Sequence, residues 1–178
     1  GDVYKRQVVE WRADWFQDVF DIEKVLHTAK ALRSALGELP LLFTFRTAKE
    51  GGEKEISAEA YRKLNLTLAA SGLVDLIDVE LLSGNELVKE LIREAHSHGV
   101  KVIASNHDFH KTPSKEELIH RLRLMQDFDA DLPKIAVMPT CRQDVLTLLC
   151  IGTPQCKGND LCTALLNRRL NQIQVIFS

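Results

Sequence analysis

The stretch KVIASNHDFHKTP, residues 101 to 113, decides how the fold is read. Its first seven residues suit an extended chain, in which side chains two apart share a face. Val102 and Ala104 make one face apolar, while Ser105 and His107 make the other polar. Thr112 and Pro113 then open a helix, supported by Ser114 and Glu117 in capping-box spacing.

Working outward, four more apolar runs read as strands: Gln7 to Arg12, Leu41 to Arg46, Leu76 to Leu81 and Lys134 to Met138. Each is followed by a longer amphipathic stretch. Asp18 to Leu36 reads as a helix stopped by Gly37, and Ser83 with Glu86 reads as a capping box. The order is βαβαβαβαβα, which argues for parallel strands joined by right-handed crossovers. An open doubly wound sheet and part of a (β/α)8 barrel both satisfy that order. No Gly-rich phosphate loop follows a strand, which disfavours a nucleotide-binding sheet.

The strand faces favour the barrel. One face carries Glu10 and Arg12, Thr44 and Arg46, Asp78 and Glu80, Ser105 and His107, and Lys134 with Ala136 and Met138. The opposite face carries Val9 and Trp11, Phe43 and Phe45, Ile77 and Val79, Val102 and Ala104, Ile135 and Val137. In a barrel the apolar face packs under helices and the ionisable face lines the interior, converging near the C-terminal strand ends.

An interior lysine is either paired or neutral, because burial and nearby cations such as Arg12 and Arg46 disfavour the ammonium. A neutral Lys134 amine attacks ketones, and the resulting imine, once protonated, is an electron sink that eases removal of a neighbouring C–H proton. His107 is placed to take and return that proton, and Glu50, in the loop after Leu41 to Arg46, is placed to orient its ring. The bland alternative is an ion-paired lining in which Glu10, Glu50, Asp78 and Glu80 offset Arg12, Arg46 and Lys134. A metal site on His107 and His110 is disfavoured, since residues three apart in an extended segment face opposite ways. His27, His96, His98 and His120 read as helix-surface residues.

Of the 178 residues, 45% are hydrophobic, enough for one domain over residues 1 to 178 with a substantial core. With 23 Lys and Arg against 25 Asp and Glu the net charge is −2, giving no electrostatic reason to expect nucleic acid or an anionic membrane. No apolar run approaches the ~20 residues of a membrane span, and no signal peptide is recognisable, so a cytoplasmic location is expected. Cys141, Cys150, Cys156 and Cys162 are confined to the last quarter of the chain, which suits reduced thiols better than a disulfide framework.

Taken together, the motifs EWRAD (Glu10 to Asp14), LLFTFRTAKEGGE (Leu41 to Glu53), SNHDFHKTP (Ser105 to Pro113) and PKIAVMP (Pro133 to Pro139) closely resemble the type I 3-dehydroquinate dehydratases of enteric-type bacteria. The resemblance runs from about Val8 to Leu149. It implies an α/β protein of the (β/α)8 TIM barrel class and dehydration of 3-dehydroquinate through an imine on Lys134. His107 is then the general acid and base, and Glu50 the carboxylate that positions it. Glu10, Arg12 and Arg46 become substrate-contacting groups. No metal or organic cofactor is implied, and relatives are homodimers.

Residues 1 to 7 and 150 to 178 depart from the family pattern. On the resemblance, residues 8 to 149 hold about strands 2 to 6 of an incomplete barrel, without the family's further carboxylate-binding arginine and its serine and glutamine lid. Poor solubility and little turnover are expected of the chain alone. Ile173 to Phe177 is strand-like enough to cover an open edge, and Cys150, Cys156 and Cys162 share an equal spacing that could suggest a metal cluster. The competing functions are another lysine-imine barrel enzyme of the class I aldolase type, and an inactive truncated remnant.

Overall fold

Strands that carry apolar residues on one face and ionisable ones on the other do pair in parallel here, and the central ones are buried on both faces. The computed structural model describes residues 8–151 and the strands Cys162–Asn167 and Gln172–Phe177. Its elements are β1 (Val9–Arg12), α1 (Ile22–Leu36), β2 (Leu41–Thr44), α2 (Ala58–Ala70), β3 (Leu76–Glu80), α3 (Asn85–Ser97), β4 (Lys101–Asp108), α4 (Lys115–Asp127), β5 (Leu132–Val137), α5 (Arg142–Ile151), β6 (Cys162–Asn167) and β7 (Gln172–Phe177). Hydrogen bonding orders the strands β1-β2-β3-β4-β5-β7-β6, the first five parallel in an α/β arrangement. The chain clusters into two units: one takes the chain up to Val79 plus Glu90–Val102, the other Glu80–Lys89 plus the chain from Ile103 onward.

In the first unit β2 lies between β1 and β3, with Arg12 opposite Thr44 and Thr44 opposite Asp78. Every residue of β2 and β3 is buried, as expected for parallel strands covered on both sides. On the apolar face Phe43 meets Trp11 edge-on, with ring centroids 5.5 Å apart, and Phe45 meets Tyr61 of α2 at 6.4 Å. That face is therefore the one packed against helix. β2 stops at Thr44, short of the expected Arg46, because the Arg46 N–H leaves the ladder and points to the Asp14 carboxylate at 3.4 Å.

Helix α1 begins at Ile22 rather than Asp18. The Asp21 N–H bonds to the Asp18 carbonyl and closes a turn, leaving Asp21 extended. Its carboxylate can then accept the N–H groups of Glu23 and Lys24, which is what an N-cap does. Gly37, at φ 57, ends the helix as expected. Just before it, Arg33 donates from Nε to the Leu73 carbonyl at 3.1 Å and from Nη1 to the carbonyls of Gly37 and Leu39, and it pairs with the Asp75 carboxylate. Asp75 in turn accepts the Leu41 N–H at 2.7 Å, so one side chain ties the end of α1 to the starts of β2 and β3.

In the second unit β4 and β5 pair in parallel from Ile103 opposite Leu132 to Asp108 opposite Val137. β5 starts two residues before the expected Lys134, because Pro133 is accommodated at the second strand position. β7 runs antiparallel along β5, with Lys134 opposite Ile176 and Val137 opposite Ile173, so the strand-like segment near the C-terminus does cover that edge. β6 pairs antiparallel with β7. Helix α4 is capped by Ser114, whose Oγ accepts the Glu117 N–H at 3.2 Å. The expected opening at Thr112 and Pro113 lies slightly early, since Thr112 Oγ1 is engaged with the Met138 carbonyl. Arg121 of α4 donates to the fully buried Asn106 Oδ1 at 2.7 Å, fastening the helix to β4.

The expected capping box on Ser83 is displaced. Ser83 belongs to a 3-10 turn, Leu81–Ser83, and α3 starts only after Gly84, whose φ of 111 redirects the chain. Cys141 and Cys150 are thiols. Cys156 and the Cys162 side chain lie outside the described residues, and with them the equally spaced cysteine set. Among the described residues no helix is long and apolar enough to cross a membrane.

Candidate active site

The ionisable face of the first unit is an ion-paired surface. Arg46, only 3% exposed, donates from Nη2 to Asp78 Oδ1 at 2.8 Å, and its Nη1 stands 3.6 Å from Glu50 Oε2. A buried guanidinium is tolerable only with such partners, and here it meets two buried carboxylates. Glu50 ends a 3-10 turn, Ala48–Glu50, and Gly51 turns the chain behind it at φ 81. Glu10 is exposed, on β1, and accepts from Thr44 Oγ1 at 2.8 Å.

Arg12 finds a partner that the sequence reading overlooked. Its Nε and Nη2 donate to the two oxygens of Asp14, each at 2.8 Å, in the bidentate geometry that suits guanidinium and carboxylate. The Asp14 bond holds the Arg12 guanidinium above its usual range. Burial pushes the Asp14 carboxyl up, but Arg12 and the N–H groups of Glu53 and Arg46 outweigh burial and hold it below the usual carboxylate range. The available signal was the two-residue spacing of Arg12 and Asp14 in EWRAD, across a strand end.

In the second unit Lys134, 8% exposed, sits on β5 directly opposite Ser105 of β4, and His107 sits opposite Ala136. Residues paired across parallel strands share a face, as do residues two apart on one strand. Lys134 and His107 therefore lie on the same face of neighbouring strands, one step apart along the ladder. The half-buried imidazole stacks on Phe109, with ring centroids 6.3 Å apart and planes 15° from parallel. Such an arrangement sets an amine and an imidazole on one face of neighbouring strands.

Within each unit, then, the sequence-read residues come together: Glu10, Arg12, Arg46 and Glu50 around the ends of β1 and β2, and His107 with Lys134 on β4 and β5. His110 is exposed, and its backbone N–H bonds to Asp108 Oδ1 at 2.9 Å. Among the described residues no three His, Cys, Asp or Glu side chains group closely enough to hold a metal ion.

Comparison with known proteins points one way. A family model described as type I 3-dehydroquinase matches residues 2–157. The 3-dehydroquinate dehydratases of Escherichia coli O9:H4 (strain HS) and of Shigella dysenteriae are each 60% identical to the chain over 142 residues, covering 80% of it and 56% of their own length. The chain thus spans little more than half of those relatives. Among solved structures, the type I 3-dehydroquinate dehydratase of Clostridium difficile with covalently modified comenic acid superposes with a TM-score of 0.80 at 53% identity, over 82% of this chain and 58% of that one. The 3-dehydroquinate dehydratase of Enterococcus faecalis superposes with a TM-score of 0.79 at 46% identity, over 82% of this chain and 61% of that one.

Proposed function

The chain belongs to the type I 3-dehydroquinase family, and on that premise we propose that it carries the imine-forming part of a 3-dehydroquinate dehydratase, a hydro-lyase giving 3-dehydroshikimate and water. One observation carries the reading: Lys134, almost fully buried on β5, shares a strand face with His107 on the adjacent β4.

The Lys134 amine adds to the C3 ketone of 3-dehydroquinate, and loss of water from the carbinolamine gives an imine. Protonated, the imine accepts the electron pair released when His107 removes a proton from C2. The electrons return as the C1 hydroxyl leaves on the same side of the ring, protonated by the same imidazole. Hydrolysis of the product imine frees Lys134. Glu50 is the carboxylate assigned to orient His107. Glu10, Arg12 and Arg46 are the groups assigned to the substrate hydroxyls, where charged donors and acceptors make strong, directional hydrogen bonds. The chemistry requires no metal or organic cofactor. A homodimer in the cytoplasm is the expected setting.

Borohydride reduction in the presence of 3-dehydroquinate, followed by mass analysis of the peptide holding Lys134, tests the assignment. Reduction should add the substrate or product skeleton to Lys134. Folded protein with Lys134 unmodified, or with another lysine modified, rejects it. Detection of 3-dehydroshikimate separates turnover from imine formation alone, and a C–C cleavage product would favour an aldolase instead.

A further inference from the structure

The segment that carries Glu50 is closed on itself. The Ala48 N–H bonds to the Lys54 carbonyl at 2.9 Å and the Gly52 N–H to the Thr47 carbonyl at 2.8 Å. Gly52 presses so near to the chain just past β2 that a Cβ added there would stand 1.9 Å from the Arg46 carbonyl oxygen. Any larger residue would push the loop off the strand end.

Two side chains then tie this loop to the end of β1, in opposite senses. From the β1 side Asp14, with no exposed surface, accepts the backbone N–H of Arg46 at 3.4 Å and of Glu53 at 3.2 Å, while both of its oxygens hold Arg12. From the loop side Lys54 Nζ donates to the carbonyls of Asp14 and of Phe16, the latter at 3.0 Å. A carboxylate has roughly four acceptor positions, and the Asp14 bonds to Arg12, Arg46 and Glu53 fill them. Its influence on a ligand must therefore pass through the groups it holds.

We propose that Asp14 and Lys54 form a reciprocal clasp whose task is to position Arg12 and the Glu50 loop for the substrate. Both are positioning residues, and this role rests on the imine reading of the family site given above. The clasp sets three things at once: the direction of the Arg12 guanidinium, the departure of Arg46 from the β2 ladder, and the closure of the loop bearing Glu50.

The test uses the full chain with Asp14→Ala, Lys54→Met and the conservative Lys54→Arg, and two measurements. In hydrogen exchange, Asp14→Ala should speed the Arg46 and Glu53 amides roughly tenfold or more, the consequence of losing one hydrogen bond each. Lys54→Met should speed Ala48 and Glu53, and Lys54→Arg should leave them near the parent, with Leu64 and Leu68 of α2 unchanged throughout. In borohydride trapping with 3-dehydroshikimate, the half-saturating concentration should rise about tenfold in Asp14→Ala and Lys54→Met, because a small misplacement of binding groups costs at least that much. Maximal labelling of Lys134 should stay constant, and Lys54→Arg should restore the parent value.

Unchanged local exchange, or exchange that speeds equally in α2, overturns the clasp. Faster local exchange with an unmoved half-saturation overturns its positioning role. If the parent chain shows no trapping at all, the imine reading fails, and the exchange data alone decide whether the clasp exists. Should Asp14→Ala not fold, the contrast between Lys54→Met and Lys54→Arg carries both measurements.

Discussion

Burial raises the proton affinity of a carboxyl, and Asp14 is fully buried, yet the Arg12 guanidinium and two backbone N–H groups reverse that effect and keep it ionised. The sign of its contribution to stability follows. A carboxylate whose folded value lies below the unfolded one, about 3.9 for Asp, stabilises the fold above that value and loses the contribution as pH falls through the folded one. Asp14→Asn should therefore cost on the order of 2 kcal/mol near neutral pH, less than the roughly 3–5 kcal/mol for breaking a fully buried pair, because Arg12 is half-buried and can turn to water. The gap between parent and variant should then narrow as pH falls from about 5 toward 2, since the parent alone must protonate Asp14. Urea unfolding across that range measures it, and a gap that stays constant would contradict the account. Sequence alone could nominate Arg46 with Glu50, and Lys134 with His107, because ionisable residues on the polar face of a strand, or just past its end, gather on one side within each unit. It could not choose among Glu10, Asp14, Glu50, Asp78 and Glu80 as the partner of Arg12, since that choice depends on distances across a turn.

Elements follow the same division between pattern and contact. All five parallel strands were legible from alternation, and their ends move by one or two residues for identifiable reasons. β2 ends early because Asp14 takes the Arg46 N–H, and β5 starts early because Pro133 needs no N–H at a strand's beginning. The start of α1 lies four residues beyond the expected Asp18, because Asp18 and Asp21 are equivalent as letters and only the turn closed by the Asp21 N–H decides between them. Arg33 illustrates what pattern cannot reveal: a helix-surface arginine whose guanidinium holds three carbonyls and Asp75. Its side chain is 24% exposed and that of Asp75 50%, so solvent screens the ion pair and most of the effect comes from the carbonyl bonds. Arg33→Ala should lower unfolding free energy by about 2 kcal/mol. Arg33→Lys should recover only a part, because one ammonium cannot reach three carbonyls on two separate loops. Equal stability of parent and Arg33→Ala in thermal or urea unfolding would show the knot to be incidental.

At the scale of the whole molecule, order and face pattern were enough to infer an α/β chain with parallel strands, and five parallel strands with 60% identity to 3-dehydroquinate dehydratases agree with that inference. Face pattern cannot say how strands at the ends of the order are covered, because an exposed edge and a covered one carry similar residues. β1 pairs with β2 alone among the described residues, and exposed apolar groups stand in the same unit: Val8 at 45%, Trp15 at 66% and Phe20 at 57%. An uncovered strand edge offers unpaired N–H and C=O groups to a second chain, and nearby apolar surface adds a driving force. Charge is the remaining deterrent, and it is weak, with a net charge of −2 and an isoelectric point near 6.3. Self-association should accordingly grow with concentration and be strongest near that pH, receding as the pH is raised by about two units and the chain becomes more anionic. Trp15→Ser should weaken it without altering the far-ultraviolet circular dichroism, since Trp15 is largely exposed. Sedimentation velocity at the two pH values is the measurement. A chain that stays monomeric at high concentration near its isoelectric point, or that associates equally at both, would show that the β1 edge is protected by something other than charge.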